Sequence, residues 1–215
     1  MAVYAAQIEA MDQGIGTVLA QVEADGEGEN TLVMFLSDNG GAAEFLREDG
    51  QAGQWPECYS ITMRDGTQTK VGNNPSRLPG GPESFMSYDV NWANASNTPF
   101  RRHKCWTHEG GISTPFIAHW PGGGLDQGIR HQPAHVVDLM ATCLDAANAA
   151  YPRTYQGRDI TPTEGESFLP CLRGQNWHRQ QPIFFEHEGN RAVRLGEWKL
   201  VSEYSQSWMS AGDFP

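Results

Sequence analysis

The sequence predicts an α/β fold with a small antiparallel sheet at its C-terminal end, and three observations carry that prediction. Apolar residues recur at a helical period over residues 5–22 and then give way to a continuous apolar run, Thr31–Leu36. A strand-like run at Ile112–Trp120 is followed by a second helical pattern over about residues 134–149. Near the end, three short strand-like runs are separated by Gly-containing dipeptides, the pattern of a β-meander.

In the first helix Ile8, Met11, Ile15, Val18, Leu19 and Val22 fall on one face. Gly14 and Gly16 weaken it, each by about 1 kcal/mol relative to Ala. The acidic stretch Asp25–Asn30 ends it. Thr31–Leu36 shows no alternation, as expected of a strand covered on both faces in an α/β unit. It stops at Ser37-Asp38-Asn39-Gly40-Gly41. Periodicity is then lost from Ala42 to Thr98, although Trp55, Tyr59, Phe85, Tyr88 and Trp92 favour a packed excursion over disorder. Pro121-Gly122-Gly123-Gly124 closes the Ile112–Trp120 strand. The second helix is expected to bury Val136, Val137, Met140, Cys143, Leu144 and Ala147. The meander takes Ile183–His187, Arg191–Leu195 and Trp198–Val201, and a domain boundary is placed near residue 152, dividing 1–152 from 153–215.

A chain of 215 residues can bury a sizeable core. Its net charge of −11, from 26 acidic and 15 basic residues, argues against a nucleic-acid partner, which requires a broad basic surface. An anionic small molecule needs only a local cationic pocket. The first residues lack the basic and apolar regions of a signal peptide, and no run reaches the ~20 apolar residues of a membrane span. Cys58, Cys105, Cys143 and Cys171 are widely spaced, with no C-x-x-C pair and no zinc-finger spacing.

Four stretches could carry chemistry. Asp38-Asn39 ends a buried strand, where α/β sheets place ligands, and offers the hard oxygens that calcium or magnesium prefers. Spacing alone favours a tight turn there. Residues 99–111 gather Arg101, Arg102, His103, Lys104 and His108 in an otherwise acidic chain, and could hold a sulfate or phosphate. A solvated basic loop explains them as well. His135 and Asp138 are one helical turn apart, with His131 nearby, as metal ligands can be, but first-turn amide capping explains the pair better. Glu186-His187-Glu188-Gly189-Asn190-Arg191 edges a pocket or forms a polar hairpin turn.

Taken in order, these segments resemble the sulfatases of the alkaline-phosphatase-like superfamily. Thr31–Gly41 is similar to the sulfatase strand that ends in an Asp-Asn calcium pair. Asn97-Thr98-Pro99-Phe100-Arg101-Arg102-His103-Lys104, running on to His108-Glu109-Gly110-Gly111, resembles the family's lysine segment, with Lys104 five residues before Glu109. Trp120-Pro121, the helix from Val136-Val137-Asp138-Leu139, and Ala192–Leu200 fit as well. The resemblance implies an incomplete sulfatase sheet with flanking helices plus the small C-terminal subdomain. It implies calcium held by Asp38 and Asn39, with Lys104 as catalytic and substrate-binding residue and His108 as a weaker substrate contact. The partner would be a sulfated small molecule or glycan. In the family a formylglycine hydrate, made from the cysteine of C-x-P-x-R or a close variant, attacks sulfur. A periplasmic or secreted location is a family leaning only.

No cysteine of this chain heads that motif; Cys58-Tyr59-Ser60-Ile61-Thr62 comes nearest, with Thr62 at the arginine position. The expectation is therefore a C-terminal portion of a sulfatase, inactive alone, exposing sheet edges and apolar faces and able to associate with an absent N-terminal part. A shortened relative that genuinely begins at Met1 is the alternative. Two rival functions are a phosphonate or phosphate-ester hydrolase of the same superfamily and a non-catalytic binder of sulfated glycans.

Overall fold

The structure is a computed structural model, and it describes residues 1–44, 46 and 62–204. Trp55, the Cys58–Ile61 part of the near-motif and the segment beyond Tyr204 lie outside the described residues. Helix α1 (Ala2–Ala24) contains no buried residue. The period predicted for it is correct, but its apolar face is only partly covered: Ile15, Leu19 and Val22 are half-buried, whereas Ile8, Met11 and Val18 are exposed. Tyr4 nevertheless stacks on Tyr88, ring centroids 5.0 Å apart.

Strand β1 (Val33–Leu36) pairs antiparallel with the strand Phe116–His119, Val33 opposite His119 and Leu36 opposite Phe116. This corrects the expected strand covered on both faces: Phe35 and Ile117 are exposed on the two-stranded ribbon. An uninterrupted apolar run fixes neither strand direction nor which faces find a partner. Between the two strands come β2 (Lys70–Val71) and β3 (Ser84–Phe85), a short parallel pair. Helix α2 (Asp89–Ser96) and a single helical turn, α3 (Glu109–Ile112), follow. The predicted strand Ile112–Trp120 thus begins later, at β4 (Phe116–His119).

Helix α4 (Asp138–Ala146) is shorter than the predicted 134–149, and left-handed Asn148 lies just beyond its end. Its buried face also differs from the predicted one. Asp138 and Thr142 are fully buried, whereas Val136, Val137 and Met140 are exposed. The cause is a long-range partner. Thr142 Oγ1 donates to the Asp138 carbonyl (2.8 Å) and accepts from the Phe168 amide (3.1 Å), beside the short helix α5 (Leu169–Leu172). Before α5 lies a two-residue hairpin, Thr154–Tyr155 with Arg158–Asp159, here β5 and β6.

The C-terminal meander forms as predicted: β7 (Ile183–His187), β8 (Asn190–Leu195) and β9 (Trp198–Ser202) make one antiparallel sheet in the order β7-β8-β9. Glu188 and Gly189 both take positive φ, the requirement of a two-residue hairpin turn. No helix among the described residues is long and apolar enough to cross a membrane.

Candidate functional site

The β1–β4 ribbon brings the end of β1 beside the start of β4. Thr114 Oγ1 donates to the Ser37 carbonyl (2.6 Å), and the Gly40 amide donates to the Gly111 carbonyl (3.0 Å). The Asp38-Asn39 turn therefore abuts the loop that carries Lys104. The Lys104 amide donates to the Gly41 carbonyl at 3.0 Å. Asn97 completes the junction: its Oδ1 accepts from the Gly41 amide (2.9 Å) and its Nδ2 donates to the Arg102 carbonyl (3.1 Å). Asn97 stood in the sequence motif without a role, and its position just before Thr98-Pro99 was the only signal.

Asp38, Asn39 and Lys104 line one cleft of ≈ 1110 Å³, together with Arg194 and the β7 edge, Glu186 and His187 included. Lys104 Nζ lies 3.2 Å from Glu44 Oε1, a partner not anticipated from the sequence. Partial burial pulls the Lys104 pKa down, but the Glu44 carboxylate and the more distant Asp38 outweigh it, so the ammonium titrates above its ordinary value. It is a persistent cation at neutral pH. The Asp38 carboxylate is exposed and makes no hydrogen bond or ion pair among the described residues. Asn39 Nδ2 donates to the Gly40 carbonyl (2.9 Å), leaving Oδ1 as the group available to a cation.

His108 lies elsewhere. It is absent from the cleft lining, and its Nε2 sits 3.3 Å from Glu203 Oε1. Burial, only partly offset by Glu203, depresses its pKa. His103 is buried, donates from Nδ1 to the Lys104 carbonyl (3.1 Å), and is likewise depressed by burial. Glu109 faces the C-terminal sheet, accepting from Lys199 Nζ (2.7 Å) and Arg194 Nη1 (3.4 Å).

The pair His135 and Asp138 behaves as a structural element. Asp138 Oδ2 accepts from the His135 amide (2.7 Å) and from Arg179, and Oδ1 accepts from the Glu166 amide (2.9 Å). That occupies both oxygens, while His131 is exposed. Among the described residues no group of three His, Cys, Asp or Glu could hold a metal ion.

Cys105 follows Lys104 with a positive φ of 78°. Burial first, and the Glu44 charge second, push its thiol up to about 11. At pH 8 roughly one molecule in a thousand then carries a thiolate. Iodoacetamide is expected to modify exposed Cys143 well before Cys105, as read by peptide mass mapping. Faster labelling of Cys105 would show that the lysine loop does not hold this conformation.

Comparison with known proteins bears on the family and the fold. A family profile described as Sulfatase matches residues 1–149. An uncharacterized sulfatase of Schizosaccharomyces pombe is 30% identical over 204 residues, covering 94% of this chain and 35% of that protein. Klebsiella aerogenes arylsulfatase is 32% identical over 170 residues, covering 78% of this chain and 33% of the enzyme. N-acetylgalactosamine-6-sulfatase of Mus musculus is 28% identical over 210 residues, with 95% and 30% covered. The crystal structure of Ps i-CgsB in complex with k-i-k-neocarrahexaose shares the fold, with a TM-score of 0.57 at 22% identity over 94% of this chain and 34% of that one. The chain thus spans about a third of the length of the curated relatives it matches. With the family profile covering most of its length and the Asp38-Asn39 turn seated against the lysine loop, the chain belongs to the sulfatase family.

Proposed function

We propose that the chain supplies the Asp-Asn and lysine part of a sulfatase active site, whose complete form hydrolyses sulfate esters. The observation that carries this is the convergence of Asp38, Asn39 and Lys104, far apart in sequence, on one cleft. Lys104 is the sulfate-contacting cation, held charged by its surroundings. In this reading residues 1–152 belong to the catalytic α/β part and 153–215 to a small antiparallel subdomain, with β1 and β4 forming part of a larger sheet.

Calcium fits the two oxygen donors in kind. Asp38 offers a carboxylate that has no partner among the described residues, and Asn39 a carbonyl oxygen left over once its amide is used. It does not fit in number, because the ion takes about six to eight oxygens, and metal affinity should accordingly be weak. When bound, calcium would polarise the sulfate as a Lewis acid. The chain's own contribution is to hold the Asp38-Asn39 turn and the Lys104 loop in register through Asn97 and the Gly40–Gly111 contact.

No cysteine heads C-x-P-x-R, so the covalent step has no nucleophile among these 215 residues. Losing a nucleophile costs several powers of ten in rate. The purified chain is expected to show no turnover of 4-nitrophenyl sulfate above the buffer rate, yet to bind inorganic sulfate. Lys104→Ala should weaken that binding about tenfold, the worth of a charge-assisted contact. Turnover by the unaltered chain, or sulfate affinity indifferent to Lys104, would refute the reading.

A further inference from the structure

A second cationic group lies outside the cleft. Arg101 Nη2, Arg102 Nη2 and His108 Nε2 converge on one oxygen, Glu203 Oε1, at 3.6, 3.1 and 3.3 Å. None of the three lines the Lys104 cleft. Beside them, at the cleft's border, Arg194 and Lys199 share Glu109; Arg194 and Glu109 also line the cleft, and the Lys199 charge is felt at His108. Four permanent cations therefore face two carboxylates within a chain of net charge −11. The scaffold beneath is fixed. The Arg102 guanidinium lies 4.3 Å from the ring centre of buried Trp106, and the Tyr204 amide, next to Glu203, donates to Asn190 Oδ1 at 3.0 Å.

Glu203 satisfies this group poorly. Three donors compete for a single oxygen, and Arg101 stands beyond hydrogen-bond reach. Neither guanidinium uses the two-pronged geometry that makes arginine–oxyanion pairs strong. Arg102 Nε is buried without a partner among the described residues. A sulfate half-ester, with three terminal oxygens, offers one acceptor to each of the three donors. A group 41% exposed and one residue past β9, such as Glu203, can be exchanged for it without moving the sheet.

We propose that Arg101, Arg102 and His108 form an exosite that takes a sulfate group of a polyanionic saccharide in exchange for Glu203. Glu203 is then an internal competitor that keeps the site closed to weak anions. The exosite is separate from Lys104 and does not depend on catalysis.

The test is calorimetric titration of the full 215-residue chain with dextran sulfate oligomers, at two salt concentrations, with unsulfated dextran as control. The unaltered chain should bind the sulfated oligomer alone, and more weakly at high salt. Glu203→Gln should bind about tenfold more tightly, and Arg101→Gln with Arg102→Gln about tenfold more weakly. Arg101→Gln alone, at a side chain 70% exposed, should still weaken binding if the double variant disturbs the loop. Lys104→Ala should weaken binding by clearly less than the arginine pair does, because Lys104 lines the cleft and not the exosite. Unchanged or weaker binding by a folded Glu203→Gln variant would overturn the proposal and leave Glu203 as a clamp only. Loss of binding in Lys104→Ala equal to that in the arginine variants would overturn it too, by placing the polyanion in the cleft.

Discussion

Replacing Asp138 by alanine is expected to lower the stability of the chain by about 3–5 kcal/mol, the cost of leaving a buried charge without its partner. Asp138 is fully buried, and the Arg179 side chain is 7% exposed. The carboxylate accepts from the amides of His135 and Glu166 and from Arg179, so its removal strands two amides and a guanidinium together. It also releases the segment from Glu166 to Arg179, which β7 follows closely. Asp138→Asn should lie between alanine and the native residue, since it keeps acceptor capacity and loses the charge. Replacing both members with apolar residues of similar volume should recover much of the loss, because the pair's own desolvation is then avoided. Urea denaturation followed by circular dichroism measures all three. A shift under ~1 kcal/mol for Asp138→Ala would mean that the pair does not hold α4 to this segment.

The second large effect is expected at Gly110. A Cβ there would overlap the carbonyl oxygens of Arg102 and Arg101, and one on Gly40 would overlap the carbonyl oxygen of Gly110. These neighbours are backbone, not flexible side-chain ends, so the structure has no cheap way to yield. Gly110→Ala should cost more than ~3 kcal/mol, at or above the upper range for overpacking. It should also weaken sulfate binding, because Gly110 donates to the Arg101 carbonyl (2.9 Å) and so closes the loop that presents Lys104. Gly14→Ala is the control. Nothing lies within 4 Å of a Cβ there, and α1 should gain about 1 kcal/mol of helix propensity. Equal responses at Gly14 and Gly110 would sink the steric argument.

These two sites show why some features were legible in the sequence and others were not. The meander was legible because strand runs and turn glycines are local signals: Gly189 and Gly196 take the positive φ that the turns demand. The α1 period was legible for the same reason. Its inner face was not, because burial needs a partner, and none covers Ile8, Met11 or Val18 among the described residues. On α4 the apolar count pointed to Val136, Val137 and Met140, yet the segment from Glu166 to Arg179 docks on Asp138 and Thr142. A buried ion pair and a buried hydroxyl outweighed the stripe. The run Ile112–Trp120 gave up its first residues to a helical turn, in which the Ser113 amide bonds to the Glu109 carbonyl at 2.7 Å.

By itself the sequence determined the family, through ordered short motifs, and singled out Asp38, Asn39 and Lys104 as the residues worth watching. It also determined the meander and the lack of a cysteine at the head of C-x-P-x-R. Only the tertiary structure decided that those three residues share one cleft, that Asn97 ties their loops together, and that His108 turns away to Glu203. It alone decided strand direction in the β1–β4 pair and the covered face of α4. The physical reason is range. Turn chemistry and periodicity act within a few residues, whereas charge pairing, backbone interdigitation at glycine and burial depend on what a distant segment brings into contact.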